Sequence, residues 1–430
     1  MEEILKRALF RADEAEVYRE DFENATVSFQ SNRLKSIDNS FGQGTGLRII
    51  KNGKIGFSST TNLQDADFLV TSAIESSKFG QPAFFKLPAT SKIPQVRCFD
   101  GNISLISTEQ MIGEGKRAID AILKEFPSFQ CEAEIDKTIA KTSILNSSGL
   151  KVSYEKTFYS FSIYAFLAEE GDFLGIGETQ SACQYKDASK VVARKVLEKI
   201  RLARRRAAIN RGVYPVIFTP KAMPVILSLL KRGINGKFIQ KKVSPLFSKL
   251  NTQVSSSMVN IVDDATFHYG KASRPVDGEG VPSRQNVIIE QGVLKNFVYD
   301  LQTAGLMGTQ TTANAAREYD SLPSPSTTNF IVREGELSLA EMVKDIKEGL
   351  IIDQVIGAGQ SNVLMGEFSV NLDLGFKVEQ GKIKGRIKNA MATANIYELL
   401  KNVVGIGKEA EFVGSTFTPP FYFARINIAT

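Results

Sequence analysis

One histidine occurs in 430 residues, His268 in "VDDATFHYG". As a general base it would need a nucleophile to activate and an acid to hold its ring. Asp263 and Asp264 lie close in sequence, but no G-x-S-x-G elbow supplies the nucleophile. A lone histidine in such a strand or loop reads as structural. Cys98, Cys131 and Cys183 are widely spaced and form no C-x-x-C pair, so they read as reduced structural thiols, not as a zinc site or a disulfide framework. "DGEG", Asp277 to Gly280, offers two carboxylates in what reads as a turn in a flexible loop. A catalytic zinc takes about three protein ligands and leaves one position for water. With one histidine and scattered cysteines, such a site would have to be nearly all carboxylate. Between Tyr214 and Val262 there is no His, Glu, Asp or Cys at all.

Two further patterns invite a ligand. Gly42, Gly44 and Gly46 resemble a phosphate loop, but a strand follows them where a dinucleotide fingerprint needs a helix. Backbone flexibility ahead of a hairpin is the reading adopted. The densest charge is the basic run from Ser189 to Arg211. Val191, Val192, Val196, Leu197 and Ile200 give it an apolar helical stripe, ringed by Lys190, Arg194, Lys195, Lys199 and Arg201. Arg204, Arg205 and Arg206 crowd its end, where cations suit a helix C-terminus. Phosphate contact through these cations would be salt-sensitive. No interleaved aromatics or recognition module accompany them, so a solvated helix face is favoured over a nucleic-acid surface.

These residues must be positioned by an α+β fold, because strand runs and separate helices occur without steady βαβ alternation. "MEEILKRALFRADEAEVYRE" reads as an amphipathic helix with Ile4, Leu5, Ala8 and Leu9 on one face. "ATVSFQSNRLKSIDNSF" and "GTGLRIIKNGKIGFSST" read as strands, the second turned at Asn52-Gly53. A helix follows at "LQDADFLVTSAIESSKF". Another begins at the Ser107/Gln110 capping box, with Ile119, Ile122, Leu123 and Phe126 as its stripe. Strands turned at Asn146 to Gly149 precede the basic helix. A boundary near Gly212 gives an N-terminal α+β domain over 1–211 and a strand-rich C-terminal domain over 212–430. The latter has the short buried strand "YPVIFTP", hairpins at Gln291-Gly292 and Gln380-Gly381, and few helices. One of these is "SLAEMVKDIKEG", with a Ser338/Glu341 box and a Gly349 stop. The other is "ANIYELLKNVVG", from Asn395 to near Gly405.

Hydrophobic residues make up 43% and charged residues 23% of the chain, which suits a soluble protein with sizeable cores. The net charge of +6 comes from 53 Lys+Arg against 47 Asp+Glu, a mild excess over this length. No apolar run approaches the ~20 residues of a membrane span. The charged N-terminus lacks a signal-peptide core. A cytoplasmic location is expected.

"RLKSIDNSFGQGTGLRIIKNGKIGFSSTTNL" and "RPVDGEGVPSRQNVIIEQGVLKNFVYDLQTAGLMGTQTTANAAR" together resemble the TldD/PmbA family, also called TldD/TldE. "FSVNLDLGFKVEQGKI" resembles its final strand pair, and the likeness covers nearly the whole chain. The family's Asp-x-Glu-Gly turn, Gly hairpin, Asp-x-x-x-Ala step and Thr-Gly-Asn-like turn find counterparts here. They are Asp277 to Gly280, Gln291-Gly292, Asp300 to Ala304, and Thr312-Ala313-Asn314, the last departing with Ala313 in place of glycine. The family has two kinds of subunit. The TldD kind holds a catalytic zinc on a HExxxH helix with a later cysteine, and the TldE kind lacks these donors.

"ILSLLKRGINGKF", Ile226 to Phe238, falls where the metal helix would be. Aligned on Gly233 and Gly236-x-Phe238, the two histidine positions fall on Leu227 and Arg232, the glutamate on Ser228, and the cysteine near Leu372. An aliphatic side chain has no lone pair for zinc, and a guanidinium repels it. The resemblance therefore implies a TldE-like subunit with no catalytic residue, metal or cofactor of its own. Zinc is expected in a TldD-like partner, with unfolded peptide as substrate, and whether the chain alone forms a homodimer is left open. The residues expected to contact peptide surround the lost site: Arg232, Asn235, Asp277, Glu279, Thr312, Asn314 and Arg317. The alternative is a nucleic-acid- or DNA-gyrase-associated binding protein using Arg204 to Arg206. An independent hydrolase built on His268 ranks last.

Overall fold

The computed structural model describes residues 1–357 and 362–430. Long alternating strands over the first 182 residues build one antiparallel six-stranded sheet. Its strands are β1 (Glu14–Gln30), β2 (Arg33–Lys51), β3 (Lys54–Thr60), β4 (Gln130–Asn146), β5 (Lys151–Glu169) and β6 (Asp172–Ala182), in the order β3-β2-β1-β4-β5-β6. The turns follow local chemistry. Asn52 and Gly53 take φ of 49° and 72°, the doubly positive geometry of a type I′ turn. One face of the sheet carries the helices. Val17, Leu47 and Ile49 pack against Ile4, Ala8, Leu69 and Ala73 of the helices Glu2–Leu9 and Ala66–Ser77. Farther along, Val27, Phe29, Ile135 and Phe161 meet Met111, Ile119, Val192 and Val196 of the helices Thr108–Glu125 and Ser189–Ala203. The Ser107/Gln110 capping box closes as the sequence predicts.

The edge strands are staggered. β3 pairs only with Thr45 to Lys51 of β2, and β6 only with Tyr159 to Glu169 of β5. Each long inner strand thus extends beyond its edge neighbour.

The C-terminal half holds a seven-stranded sheet and a second sheet of six short strands. In the first, Glu348–Ile356 pairs with Gly212–Phe218, which pairs with Phe421–Ala429, then Met391–Asn395, then Glu367–Glu379. The last pairs back with Glu348–Ile356, so these five strands close a ring. Val216, Phe218, Leu350, Val370, Leu372, Phe421 and Phe423 fill a core shared with the helix Met223–Gly233. The second sheet contains Ile261–Asp264, Gln285–Glu290, Phe330–Val332 and Thr416–Thr418. Positive φ at Gln291, Gly292, Gln380 and Gly381 makes both expected hairpins.

Four local expectations change. The first helix stops at Leu9, because "EVYRE" is already β1, and Leu9 is exposed. The Ser338-capped helix ends at Asp345, and Gly349 lies inside the strand Glu348–Ile356. The Asn395-capped helix ends at Lys401, and Val403–Ile406 is a strand. The glycines of β2 are not slack before a turn. They are the bare strip on which aromatic rings lie. A Cβ on Gly42 would sit 2.1 Å from the Phe22 ring and one on Gly44 2.2 Å from the Tyr319 ring. A Cβ on Gly46 would sit 2.3 Å from the Tyr319 carbonyl oxygen. The C-terminal half thus seats Tyr319 directly on the N-terminal sheet.

Candidate functional site

The helix Met223–Gly233 starts with proline in its first turn and buries Met223, Ile226, Leu227, Leu229 and Leu230. Leu227 is fully buried and shares an apolar cluster with Leu372 of the strand Glu367–Glu379. Ser228 is exposed, and its hydroxyl donates back to the Val225 carbonyl at 2.6 Å. Arg232 is exposed. The helix therefore points these three positions in different directions. Its inward polar group is Lys231, four residues after Leu227 and so on the same face. Lys231 Nζ donates to Thr416 Oγ1 at 2.6 Å and lies 4.9 Å above the Phe330 ring. Burial pulls its pKa down to about 8, against the attraction of Asp263. Helical periodicity could have found this lysine in the sequence. Among the described residues no group of three His, Cys, Asp or Glu side chains is placed to hold a metal ion. An aliphatic pair, an outward serine and an outward arginine do not fit a zinc ion.

The nominated acids lie elsewhere, at the junction of the two halves. Asp277 is buried, and its carboxylate accepts from the backbone N–H of Glu279 (2.9 Å), Val281 (3.0 Å) and Ala315 (3.1 Å). The "DGEG" segment is thus a rigid turn inside the fold and not a flexible loop. Glu279 accepts from Arg48 Nη1 at 2.6 Å and from the Leu301 N–H at 2.8 Å, at the start of a short helix capped by Asp300. Arg48 of β2 also donates to Glu16 of β1 at 3.0 Å, and Arg317 donates to the other oxygen of Glu16. The Arg317 side chain is 0% exposed and packs 4.5 Å from the Tyr18 ring centroid. Burial drives Glu279 up, to about 8, against the pull of Arg48. Burial likewise depresses Arg317, and it is only partly offset by Glu16. Two arginines and two glutamates thus tie the sheet to the turn without touching solvent.

Asn314, Thr312 and Asn235 are also committed within the chain. Asn314 donates to Asp263 (2.6 Å) and the Ser326 carbonyl (3.0 Å), and accepts from Asn286 (3.2 Å). Thr312 Oγ1 accepts from the Tyr299 N–H at 2.7 Å. Asn235 caps the helix Gly236–Gln240 and donates to the Pro325 carbonyl at 2.7 Å. Of the seven residues nominated for peptide contact, Arg232 stands free on the surface, and the others hold segments of the chain together. His268 is exposed, with its Nδ1 facing the Arg97 N–H at 3.5 Å. The three thiols are free and buried, and burial raises Cys131 to about 12 and Cys183 to about 11. In the basic block, Arg206 pairs with Asp172, which also receives Arg386 and Lys388, and Arg204 lies 5.8 Å above Phe126. Asp172 of β6 thus gathers Arg206 and Arg386, and backbone bonds from the Ala207 N–H to the Arg386 carbonyl (2.8 Å) and from the Arg386 N–H to the Arg205 carbonyl (2.7 Å) join this segment to the strand Lys382–Ile387.

Sequence reasoning missed a second polar cluster between β6 and the strand Glu348–Ile356. It lines a cavity of ≈ 330 Å³ with Glu178, Lys221, Asp353, Gln354 and Asp373. Lys199 bridges Glu178 (2.5 Å) and Asp353 (2.7 Å), while Lys221 meets the Gly177 carbonyl, the Gln354 amide oxygen and Glu178. Burial pulls both ammonium groups down. Asp353 and Glu178 overturn that for Lys199, while Lys221 stays lowered. No spacing of residue types along the chain signals this meeting.

Three family models describe adjoining parts of the chain. The model for the PmbA/TldA metallopeptidase C-terminal domain matches residues 211–430, domain 1 matches 15–77, and the central domain matches 103–204. The chain belongs to the PmbA/TldD metallopeptidase family. An uncharacterized Methanocaldococcus jannaschii protein, MJ0231, is 27% identical over 98% of both chains. A Haemophilus influenzae "Metalloprotease TldD homolog" is 31% identical over 47% of this chain and 42% of its own length. The solved structure of TldE from Thermococcus kodakarensis superposes with a TM-score of 0.92 at 24% identity, covering 100% of both chains, a likeness of fold.

Within this PmbA/TldD chain, the departure at Ala313 carries a structural cost. Ala313 is buried with φ of 58°, the left-handed region that glycine enters without penalty. Its N–H bonds to Thr311 Oγ1 at 3.2 Å and its neighbours Thr312 and Asn314 are both anchored, so the turn keeps its shape despite the side chain.

Proposed function

We propose that this chain is a metal-free, TldE-like subunit of a TldD/TldE-type peptidase system. It pairs with a zinc-bearing TldD-like chain, where the metal and the general base reside, and helps to hold unfolded peptide for cleavage. The observation that carries this reading is the helix Met223–Gly233. Leu227 and Leu372 face an apolar core, and among the described residues no group of three His, Cys, Asp or Glu side chains is placed to hold a metal ion. Family membership along the whole chain supports the peptidase context. Extended peptide can be held through backbone hydrogen bonds that read little sequence, as in strand addition. Arg232 at the exposed end of the helix is the nominated side chain with access to such a peptide. The engagement of Arg206 with Asp172, and of Arg204 with Phe126, gives no support to a nucleic-acid reading.

The test is cleavage of an unstructured peptide by this chain alone, by a TldD-like chain alone, and by the two together, each with and without chelator. The reading predicts no cleavage by this chain alone and chelator-sensitive cleavage by the pair. Chelator-sensitive cleavage by the isolated chain contradicts it.

A further inference from the structure

We infer that the cavity where the helices Thr108–Glu125 and Ser189–Ala203 end beside the strand Lys382–Ile387 binds a carboxylate carried on an apolar body. That chemistry is shared by the C-terminal residue of a peptide and by a free aryl or alkyl acid. The site uses no residue of the helix Met223–Gly233, and the inference does not rest on the peptidase reading.

The first helix gives way to a tight apolar turn. The Phe129 N–H donates to the Phe126 carbonyl at 3.1 Å, and the two rings lie buried with centroids 5.8 Å apart. With Leu167 of β5 and Leu174 of β6 they give the apolar lining of a cavity of ≈ 330 Å³. Arg204, Arg206 and Arg386 bring cations to the same space. A volume at the small end of ligand sites suits a molecule the size of one residue, not a length of peptide.

The charges around this space do not cancel. Its lining carboxylates are Glu125, Glu169 and Asp172. Among the described residues Glu125 pairs with Arg201, and Asp172 with Arg206, Arg386 and Lys388. Arg204 has no carboxylate partner among them and lies over the Phe126 ring. Five cations therefore meet three carboxylates. Each of the two helix C-termini adds about half a negative charge, which leaves a surplus of about one positive charge. That surplus matches one carboxylate and falls short of a phosphate dianion. Arg386 is 4% exposed and donates to the Phe173 carbonyl (3.0 Å) and to Asp172 (2.5 Å), but its Nε–H has no acceptor. A buried donor without an acceptor is rare, and a bound carboxylate would supply the missing oxygen. Arg204 and Arg206 are exposed, so this cationic side of the cavity is open to solvent. Guanidinium forks match the two oxygens of a carboxylate, and the buried rings and leucines match the apolar body behind it.

The test is calorimetric titration of the full chain with four probes. These are 3-phenylpropionate, an acetylated tripeptide ending in phenylalanine, the C-terminal amide of that tripeptide, and inorganic phosphate. Saturable binding is expected for at least one of the two carboxylates, with the amide and phosphate about tenfold weaker or more. Arg204→Gln leaves the ion pairs of Asp172 in place and should weaken carboxylate binding about tenfold, and Arg386→Gln at least as much. Arg194→Gln, the same change of charge on the exposed face of the same helix, should leave it unaltered. Tighter binding of the tripeptide assigns the site to chain ends, and tighter binding of phenylpropionate assigns it to a free acid. Either result upholds the inference. Absence of saturable binding overturns it, as does equal binding of acid and amide, phosphate binding as tight as carboxylate, or binding that Arg204→Gln leaves unchanged. If circular dichroism shows that Arg386→Gln does not fold, Arg204→Gln decides alone.

Discussion

Two interior regions of this molecule reverse what their sequences suggest. The junction of Glu16, Arg48, Glu279 and Arg317 has the residue types of an active site and is closed to solvent, each charge facing a charge of its own chain. The helix Met223–Gly233 lies where the family resemblance puts catalytic metal, and it presents leucine to a leucine-rich core. Charge in this protein is spent on joining two halves, and the position of expected chemistry is spent on packing. Desolvating an ion costs several kcal/mol, so a buried network persists only if every partner is present. An apolar core needs no such matching. The first region should be brittle to loss of one group and the second indifferent to metal.

The largest effect is expected from breaking the junction. Arg48→Met leaves Glu16 and Glu279 without their shared partner and should lower stability by about 3–5 kcal/mol, read from urea melts. A variant of unchanged stability with altered peptide affinity would mean that the junction is a binding site after all. Next is Lys231, the charge that the apolar helix retains. Its pKa falls from 10.5 to about 8 on folding, so the folded state binds fewer protons across that window. Stability should rise with pH between those limits, and the contribution is lost as pH falls through 8. Melting curves of the wild type and Lys231→Met over that range should converge in slope elsewhere and differ there. Equal slopes throughout would show that the ammonium is well solvated. The smallest effect is a gain. Ala313→Gly relieves a left-handed alanine and should add about 1 kcal/mol, less the greater freedom of glycine in the unfolded chain.

Local chemistry was legible in the sequence. Asn52-Gly53, Gln291-Gly292 and Gln380-Gly381 take positive φ because two neighbouring residues suffice to specify such turns. The Ser107/Gln110 and Ser338/Glu341 capping boxes closed for the same reason. What depends on distant segments was not legible. Gly42, Gly44 and Gly46 look like slack until Phe22 and Tyr319 are seen lying on them. "DGEG" looks like a surface loop until Arg48 arrives from β2. Lys199 reads as part of a helix face, and only folding brings it to Glu178, beside Lys221. At the candidate site, residue types alone show that no His, Glu, Asp or Cys occurs between Tyr214 and Val262. The burial of Asp277, Glu279, Asn314 and Arg317 was not legible, because polarity says nothing about which polar groups find internal partners.

The most direct test of the account is the zinc content of the isolated full-length chain, measured by mass spectrometry after loading with zinc and gel filtration. A helix with Leu227, Ser228 and Arg232 where the family resemblance puts the metal ligands predicts far less than one zinc per chain, removed entirely by brief chelation. One zinc per chain, retained through chelation and lost on substituting residues of that helix, would contradict it.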